Sequence, residues 1–335
     1  MPMDGKLPKL LLTSFQNRRF AIGYGNRPEF IEYVEEDAFL GSVHLGRVKN
    51  INKNIQAAFV EVLHNGEREM VYFSLDNPLP LFGDDRAHDR VKEGDEILLQ
   101  ITKAPLKTKL AVASSVLKLP QAERERLLKE KAYRQAPAPL YAPKTDFLSL
   151  ICQFAPGGVR EVVTEDEALY AQILSKKEAL GELPFSLRLY QDEFLPLYKL
   201  YSLETLFAEA LQKRVWLKSG GYLVIEATEA FTVVDVNTGK NLAKKDRETL
   251  FFETNKEAVQ ETARQMRLRN LSGIILVDLI DMKEPDHRQA VLALAREALS
   301  KDRVQAVALD ITRLGILEIT RRKEKPSLQE ILRKP

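Results

Sequence analysis

Cysteine is almost absent from this sequence, with Cys152 as the single example among 335 residues. One cysteine can form neither an internal disulfide nor a cysteine-rich zinc site within a single chain. Cys152 lies in the apolar stretch 147–154, which favours a buried small side chain over a reactive nucleophile. The sequence therefore excludes a disulfide scaffold and gives no support for thiol chemistry.

Histidines and long apolar runs are also scarce. The four histidines (His44, His64, His88 and His287) are scattered without the spacing of metal ligands, so we interpret them as surface or packing residues. No stretch approaches the length of a transmembrane helix. The run 10–12 near the start is too short for a signal-peptide core. We therefore expect a cytoplasmic protein without a membrane partner.

The net charge is small, at +2, and by itself does not indicate a nucleic-acid-binding protein. It does not exclude one, because binding depends on where the basic residues lie. The length and an apolar content of 44% are enough for a substantial core and more than one domain.

Short strand-like segments dominate the first 115 residues. Segments 20–25 and 30–34 predict a hairpin around a turn. Several short strands between 38 and 115 predict a small β-barrel. The charged segment 120–134 has a helical composition. A proline-rich stretch, 136–143, then reads as a connector and marks the clearest internal boundary.

The last third is the most regular part of the sequence. Apolar periodicity predicts alternating strands and helices, which favours an α/β unit with right-handed crossovers. The predicted strands are 222–227, 231–236, 273–280, 304–311 and 316–320, and the predicted helices are 254–269 and 286–303.

Carboxylates end two of these predicted strands. Asp235 and Asn237 end one, and Asp278 and Asp281 end the other. The carboxyl ends of neighbouring strands form the site crevice of α/β sheets, so two aspartates there can converge on one magnesium ion. Alternatively, Asp235 and Asp278 pair with arginines or cap helices, and spacing alone leaves both interpretations open. We expect Asp281 to be a cap or support, and Glu226 to be exposed or to support the ligands without binding the ion.

Basic residues cluster near the same predicted strand ends. Arg264, Arg267 and Arg269 end the helix that precedes Asp278, and Arg313 follows a later strand. These basic residues could bind the phosphates of a nucleic acid. Basic residues at a helix C-terminus also interact favourably with the helix dipole, so the cluster alone does not decide between the two roles.

Several motifs together resemble one known family. They are 219–230 (SGGYLVIEATEA), 234–239 (VDVNTG), 254–258 (TNKEA), 263–270 (ARQMRLRN), 275–282 (ILVDLIDM) and 312–322 (TRLGILEITRR). In this order and spacing, across about 213–323, they resemble the catalytic core of the ribonuclease E/G family. Segments 46–48, 56–60 and 103–109 resemble, more weakly, the family's inserted OB-fold barrel.

The resemblance implies roles for particular residues. It implies that Asp235 and Asp278 bind magnesium with Asn237 in support. It also implies that Phe59 and Tyr72 stack on RNA bases beside Lys109. We add Arg267 and Arg313 as predicted RNA contacts. OB-folds bind single strands through aromatic stacking and a basic groove, although Phe59 could instead belong to the barrel core.

The expected architecture is an α/β multidomain fold. A reduced ribonuclease-H-like platform would comprise 1–37 and 116–204, and the OB-fold barrel would comprise 38–115. A catalytic domain resembling deoxyribonuclease I would follow at 205–325, before a tail at 326–335.

The resemblance implies magnesium-dependent cleavage of single-stranded RNA, leaving 5′-phosphate ends. The barrel would clamp the RNA over the site. Two alternatives remain open from the sequence. One is a non-catalytic RNA-binding or ribosome-associated protein of the same descent, and the other is a deoxyribonuclease.

The sequence departs from the family pattern in three ways. The ribonuclease-H-like segment between 119 and 160 is much shorter. The Arg-Thr pair that senses a 5′-monophosphate end has no counterpart. The Cys-x-x-Cys zinc link after the core is also missing, so we expect no zinc-linked dimer.

The missing sensor gives a testable prediction. Recognition of a phosphate end needs fixed donors, usually a bidentate arginine with neighbouring groups, and Arg313 alone lacks such partners in the sequence pattern. We expect similar cleavage rates on matched RNAs with 5′-hydroxyl, 5′-monophosphate and 5′-triphosphate ends. A clear preference for the monophosphate would show that another pocket exists.

Overall fold

The computed structural model describes residues 7–34, 39–84, 88–103, 105, 109–143, 151, 159–180, 185–239 and 246–333. The chain forms two compact units. One comprises Met1–Val34 and Asp146–Pro335, and the other comprises Glu35–Thr145. Cys152 lies outside the described residues. No described helix is long and apolar enough to cross a membrane.

The described elements follow one another in a mixed α/β order. The strands are β1 (Leu7–Phe15), β2 (Arg18–Tyr24), β3 (Pro28–Val34), β4 (Val43–Asn52), β5 (Ala57–His64), β6 (Glu67–Ser74), β7 (Glu96–Lys103), β8 (Ala111–Ser114), β9 (Ala138–Tyr141), β10 (Val159–Thr164), β11 (Ser186–Leu189), β12 (Arg214–Trp216), β13 (Tyr222–Ala227), β14 (Phe231–Asn237), β15 (Gly273–Asp278), β16 (Ala306–Ile311) and β17 (Ile316–Arg321). The helices are α1 (Gln121–Glu130), α2 (Glu167–Leu180), α3 (Leu197–Leu200), α4 (Leu203–Leu211), α5 (Arg247–Arg269), α6 (Pro285–Ser300) and α7 (Leu328–Arg333), with 3₁₀ turns at Lys53–Ile55 and Lys131–Tyr133.

The first unit contains a five-stranded sheet in the order β11-β10-β1-β2-β3. The predicted hairpin at 20–25 and 30–34 is confirmed, since β2 and β3 pair antiparallel. The central strand β1 pairs in parallel with β10 and antiparallel with β2. Leu10 and Leu12 pack on one face and Leu11 on the other. The run 10–12 is therefore a strand buried on both faces, which explains its unbroken apolar character.

The same unit contains a six-stranded mixed sheet in the order β12-β13-β14-β15-β17-β16. One face packs against α5 and α6 through a core that includes Val234, Val277, Met266 and Val291. The opposite face is open to solvent, and Ile274 on it is 50% exposed. The apolar character of β15 is typical of a central strand that is buried on both faces. It is central in the sheet, but only one of its faces is covered.

Helix α5 is buried on several sides because it packs between the two sheets. Met266 belongs to the core of the six-stranded sheet, and Leu268 to the core of the five-stranded sheet. The helix begins seven residues earlier than the predicted position 254, because the side chain of Asp246 caps it at the backbone NH of Thr249. It ends as predicted at Arg269.

The second unit contains a closed five-stranded barrel. The strand order is β5-β6-β8-β7-β4, and β4 also pairs with β5, which closes the sheet. This arrangement is that of an OB-like barrel, as the sequence predicted. Within the barrel, β4 pairs with both β7 and β5. It passes close to β5 at Gly46, where a Cβ would lie only 2.6 Å from Cγ1 of Val60.

Residues 116–143 belong to the barrel unit, which corrects the predicted boundary at 115. Leu127 of α1 is fully buried against Val43, Leu45 and Leu98 of the barrel strands. The proline-rich segment is also no connector, because Ala138–Tyr141 forms strand β9 beside β4. An edge strand tolerates proline, which is why composition alone misplaced it.

A buried ion pair fixes the far edge of the six-stranded sheet and gives a stability prediction. Arg321 donates from Nε to Oδ2 of Asp302 at 2.8 Å and from Nη1 to Oδ1 of Asn270 at 2.7 Å. The side chains of Arg321 and Asp302 are 5% and 3% exposed. We expect Asp302→Ala to lower the free energy of unfolding by about 3–5 kcal/mol, because a buried guanidinium loses its counter-charge.

Denaturant titration checks this prediction. Glu297→Ala is the matched control, because Glu297 forms an exposed pair with Lys301 at 3.6 Å. It should change the free energy of unfolding by no more than about 0.5 kcal/mol. Equal effects of the two variants would contradict a stabilising role for the buried pair.

Candidate functional site

Asp235 and Asp278 lie side by side at the carboxyl ends of two parallel strands. Strands β14 and β15 pair in parallel, and Asp235 is the register partner of Asp278. Adjacent strands lie about 4.8 Å apart, and residues in register project from the same face. The backbone ladder itself therefore brings the two carboxylates together, as the sequence predicted for the strand ends.

Both aspartates lie on the open face of the six-stranded sheet. Their neighbours Val234 and Val277 point into the core, whereas Asp235 and Asp278 are exposed. An ionised carboxylate buried inside an apolar strand would carry a large desolvation cost, but Asp235 and Asp278 are not buried. Alternation along each strand turns them toward solvent, where an ionised carboxylate carries little desolvation cost.

Asn237 contacts Asp235 directly. Its Nδ2 donates to Oδ2 of Asp235 at 2.8 Å. Positions i and i+2 of a strand share a face, which explains how β14 brings the two side chains together. This contact fixes one carboxylate oxygen and leaves the other to face Asp278 or solvent.

The backbone just beyond Asp278 is held by a buried asparagine that the sequence analysis did not single out. Asn255 of α5 is 0% exposed. Its Nδ2 donates to the carbonyl oxygen of Ile280 at 2.7 Å, and its Oδ1 accepts from the NH of Ile280 at 3.0 Å. The side chain thus replaces a strand partner and fixes the end of β15. Its place in the motif 254–258 was the available signal.

The strand end beyond Asn237 approaches the start of the hairpin closely. At Gly239, φ is +68°, and a Cβ would lie 2.2 Å from the carbonyl oxygen of Gly220. Only glycine fits such an approach. The motif 234–239 therefore ends in glycine for a steric reason. Residues 240–245 lie outside the described residues.

Arg313 lies at the same end of the sheet as the aspartates. It is exposed in the turn from Thr312 to Gly315, where the carbonyl oxygen of Gly315 accepts from the NH of Leu279 at 3.2 Å. Ile316, the first residue of β17, is the register partner of Asp278. The predicted contact of Arg313 with RNA is compatible with this position and stays a prediction.

Arg267 lies elsewhere, in the interface between α5 and the five-stranded sheet. Its Nη2 lies 3.2 Å from Oε2 of Glu29, and its side chain is 14% exposed. Its neighbour Arg264 is likewise 13% exposed and bound to Glu261. These arginines link the helix to strand β3 and its turn, so the predicted contact of Arg267 with RNA gains no support.

Two further carboxylates match the expectation of support or exposure. Asp281 is 83% exposed and pairs with Arg288 at 3.2 Å. Glu226 is exposed and pairs with Lys213 at 2.7 Å. Neither lies in register with Asp235 or Asp278.

Asp235, Asp278 and Asn237 offer oxygen ligands of the types that a hard divalent cation accepts. Two carboxylates and a side-chain amide converge here, and magnesium uses one or two carboxylates while keeping several waters. No group of three or more His, Cys, Asp or Glu side chains with metal-binding geometry occurs among the described residues.

The predicted aromatic pair of the barrel lies on its outer surface. Phe59 and Tyr72 are register partners on β5 and β6, with ring centroids 6.4 Å apart at 81°. Both are partly exposed, whereas Val60 and Phe73 point into the barrel core. The alternative that Phe59 is a core residue is therefore wrong.

Basic residues lie near this aromatic pair. Lys109 is exposed just before β8, whose Val112 is the register partner of Tyr72. Val112 is also the partner of Lys103 on β7, and Lys103 is exposed. Lys103 thus lies in one cross-strand row with Val112, Tyr72 and Phe59. The sequence analysis did not select it, because the pairing of β7 with β8 cannot be read from composition.

Comparison with known proteins now identifies the family. The family model described as the Ribonuclease E/G family matches residues 99–324, about two thirds of the chain. The chain belongs to the ribonuclease E/G family. This match spans both aspartate-bearing strands and the second half of the barrel unit.

Individual members of the ribonuclease E/G family align along most of the chain. Ribonuclease G of Haemophilus influenzae is 30% identical over an alignment of 380 residues. The alignment covers 91% of this chain and 77% of that protein. Ribonuclease G of Escherichia coli is 28% identical over 386 residues, covering 90% and 76%. Ribonuclease E of Escherichia coli is 35% identical over 205 residues, covering 60% of this chain and 19% of that protein.

Proposed function

We propose that this protein is a magnesium-dependent endoribonuclease that cleaves single-stranded RNA and leaves 5′-phosphate ends. The observation that carries the proposal is the register pairing of Asp235 with Asp278 on an open sheet face. Membership of the ribonuclease E/G family supports it, together with relatives named ribonuclease G and ribonuclease E.

Each residue of the site would have a separate role. Asp235 and Asp278 would hold the ion through carboxylate oxygens, and Asn237 would keep Asp235 in the required orientation. When bound, the ion would polarise the scissile phosphate and lower the pKa of an attacking water. Asn255 acts only through the backbone at Ile280, which sets where β15 ends.

Hydrolysis requires that the scissile phosphate of the RNA can reach the site from solvent. A bond forms between the water oxygen and phosphorus while the bond from phosphorus to the 3′-oxygen breaks, so the phosphate stays on the 5′ end of the downstream fragment. The exposed position of Asp235 and Asp278 suits a chain entering from solvent. Positively charged Arg313, at the same end of the sheet, would contact that chain.

The finer fold assignments are also proposals. The order β3-β2-β1-β10-β11, with an antiparallel meander followed by two parallel strands, supports a reduced ribonuclease-H-like platform. The mixed six-stranded sheet with α5 and α6 on one face supports a relation to deoxyribonuclease I. The barrel would bind single-stranded RNA through Phe59 and Tyr72, with Lys103 and Lys109 beside them.

The metal site gives the first prediction of this proposal. Asp235→Asn and Asp278→Asn should each lower kcat/KM for a labelled single-stranded RNA by about 100-fold or more, because a ligand charge is lost from the transition state. Cleavage by the unaltered protein should require magnesium, and RNA binding should persist in both variants.

Asp281→Asn is the control, because Asp281 is an exposed carboxylate out of register with the pair. It should keep cleavage near the level of the unaltered protein. Wild-type rates in either Asp235→Asn or Asp278→Asn would disprove the assignment. Products that accept a 5′ label only after phosphatase treatment would verify the 5′-phosphate.

The barrel gives a second prediction. Phe59→Ala should weaken RNA binding by about 1–3 kcal/mol, the usual contribution of one base–aromatic stack. Because Phe59 is partly exposed, its loss should cost much less stability than the roughly 3–5 kcal/mol of a buried phenylalanine. Fluorescence anisotropy with a labelled RNA and a thermal melt measure the two effects.

Phe73→Leu is the matched control, since Phe73 is 1% exposed in the barrel core. It should lower stability while leaving RNA affinity of the folded protein unchanged. An Ala variant of Phe59 that melts early but binds RNA normally would reject the stacking role.

A further inference from the structure

A cation–aromatic cluster occupies the free edge of the six-stranded sheet, on its open face. Trp216 and Tyr222 are register partners on β12 and β13, with ring centroids 5.4 Å apart at 63°. The guanidinium carbon of Arg214 lies 4.5 Å from the Tyr222 ring centroid and 5.7 Å from that of Trp216. We call these three residues the edge cluster.

The edge cluster shares a face with the proposed metal site. Arg214 pairs with Val224, Val224 with Asp235, and Asp235 with Asp278, so these residues form one row across four strands. Trp216, Tyr222 and Asn237 form the next row. With strands about 4.8 Å apart, Trp216 lies about 10 Å from Asn237.

The exposure of Trp216 has no evident packing benefit. It is 64% exposed, whereas Val215 between Arg214 and Trp216 packs against the core. Val215 is the residue of β12 that packs into the core. On the open face, β12 presents an indole and a guanidinium and β13 presents the phenol ring of Tyr222. This combination binds single-stranded nucleic acid by stacking and charge.

We propose that the edge cluster is a base-stacking subsite for the RNA substrate, with Trp216 as the stacking residue and Arg214 as a phosphate contact. This inference rests on the proposed ribonuclease function and deepens it. The occupant is a nucleotide one or two positions from the bond to be cut, because the row from Arg214 to Asp278 leads directly to the proposed metal site.

Charge complementarity selects this occupant over a second copy of the chain. Other exposed apolar residues on the open face include Ile274 on the central strand β15 and Val307 and Leu309 on the opposite edge strand β16, at 50%, 43% and 49% exposure. The edge cluster instead combines its rings with a guanidinium, which suits phosphates as well as base faces.

Trp216 is the only tryptophan in the chain, so its intrinsic emission reports on this subsite alone. The full-length protein without magnesium is titrated with a single-stranded oligoribonucleotide carrying an end label. Label anisotropy measures total binding, and tryptophan emission measures stacking. We expect emission to be quenched in step with binding. An abasic oligomer of equal length should bind through its phosphates without quenching.

Variants test the contribution to affinity and cleavage. Trp216→Ala should raise Kd for the RNA by about 5- to 100-fold, the range expected for one stacked base, and Trp216→Phe should restore most of it. Val307→Ala, on the far edge of the same face, should leave Kd unchanged. KM should follow Kd in each variant while kcat changes little, because Trp216 does not touch the reacting atoms.

The outcomes separate this inference from the proposed function. RNA that binds and is cleaved without any change in tryptophan emission would overturn the subsite and leave the nuclease intact. Emission that depends on protein concentration without RNA would show that a second copy covers Trp216, and would also overturn it. Absence of cleavage with magnesium, despite quenching by RNA, would reject the nuclease function alone.

Discussion

The first unit depends on helix α5, which is shared by two hydrophobic cores. It packs on the six-stranded sheet through Met266 and reaches the five-stranded sheet through Leu268. Glu261 on this helix is 5% exposed and binds Arg264 and Arg27. Burial raises the pKa of Glu261, but the hydrogen bonds of Arg264 and Gln265 and the charges of Arg264 and Arg27 together hold that pKa below its ordinary value. The helix can therefore keep ion-paired side chains between two apolar cores. It also supplies Asn255, which binds the backbone just beyond Asp278.

Local patterns in the sequence predicted the parts of the fold that depend on local forces. Strand 222–227 and most of the next, 231–236, follow from alternation, because one face of each packs on α5 while the other is open. Strand β9 and the attachment of α1 to the barrel could not be predicted, since they depend on long-range burial of Leu127 and Leu140. Propensity does not encode which distant surface an apolar side chain will reach.

The residues of the candidate site also differ in how far the sequence alone could predict them. The Asp235–Asp278 pair was predictable, because strand ends in an α/β sheet meet at one edge. The solvent-facing position of both residues was not, since an unbroken apolar strand such as 273–277 reads as buried on both faces. Trp216 escaped notice for a related reason. A three-residue strand offers no periodicity, so only the pairing of β12 with β13 reveals that its side chain shares a face with the carboxylates.

The pairing of β1 with β10 has a consequence for synthesis of the chain. Thr13 and Glu165 are hydrogen-bonded across 152 residues, and the whole barrel unit lies between these two strands in the sequence. The barrel can close from nearby strands as soon as it leaves the ribosome, but β1 must wait for β10. At ordinary rates of translation the edge of β1 stays unpaired for on the order of ten seconds. We therefore expect selection against aggregation to act on the sequence of β1, Leu7–Phe15.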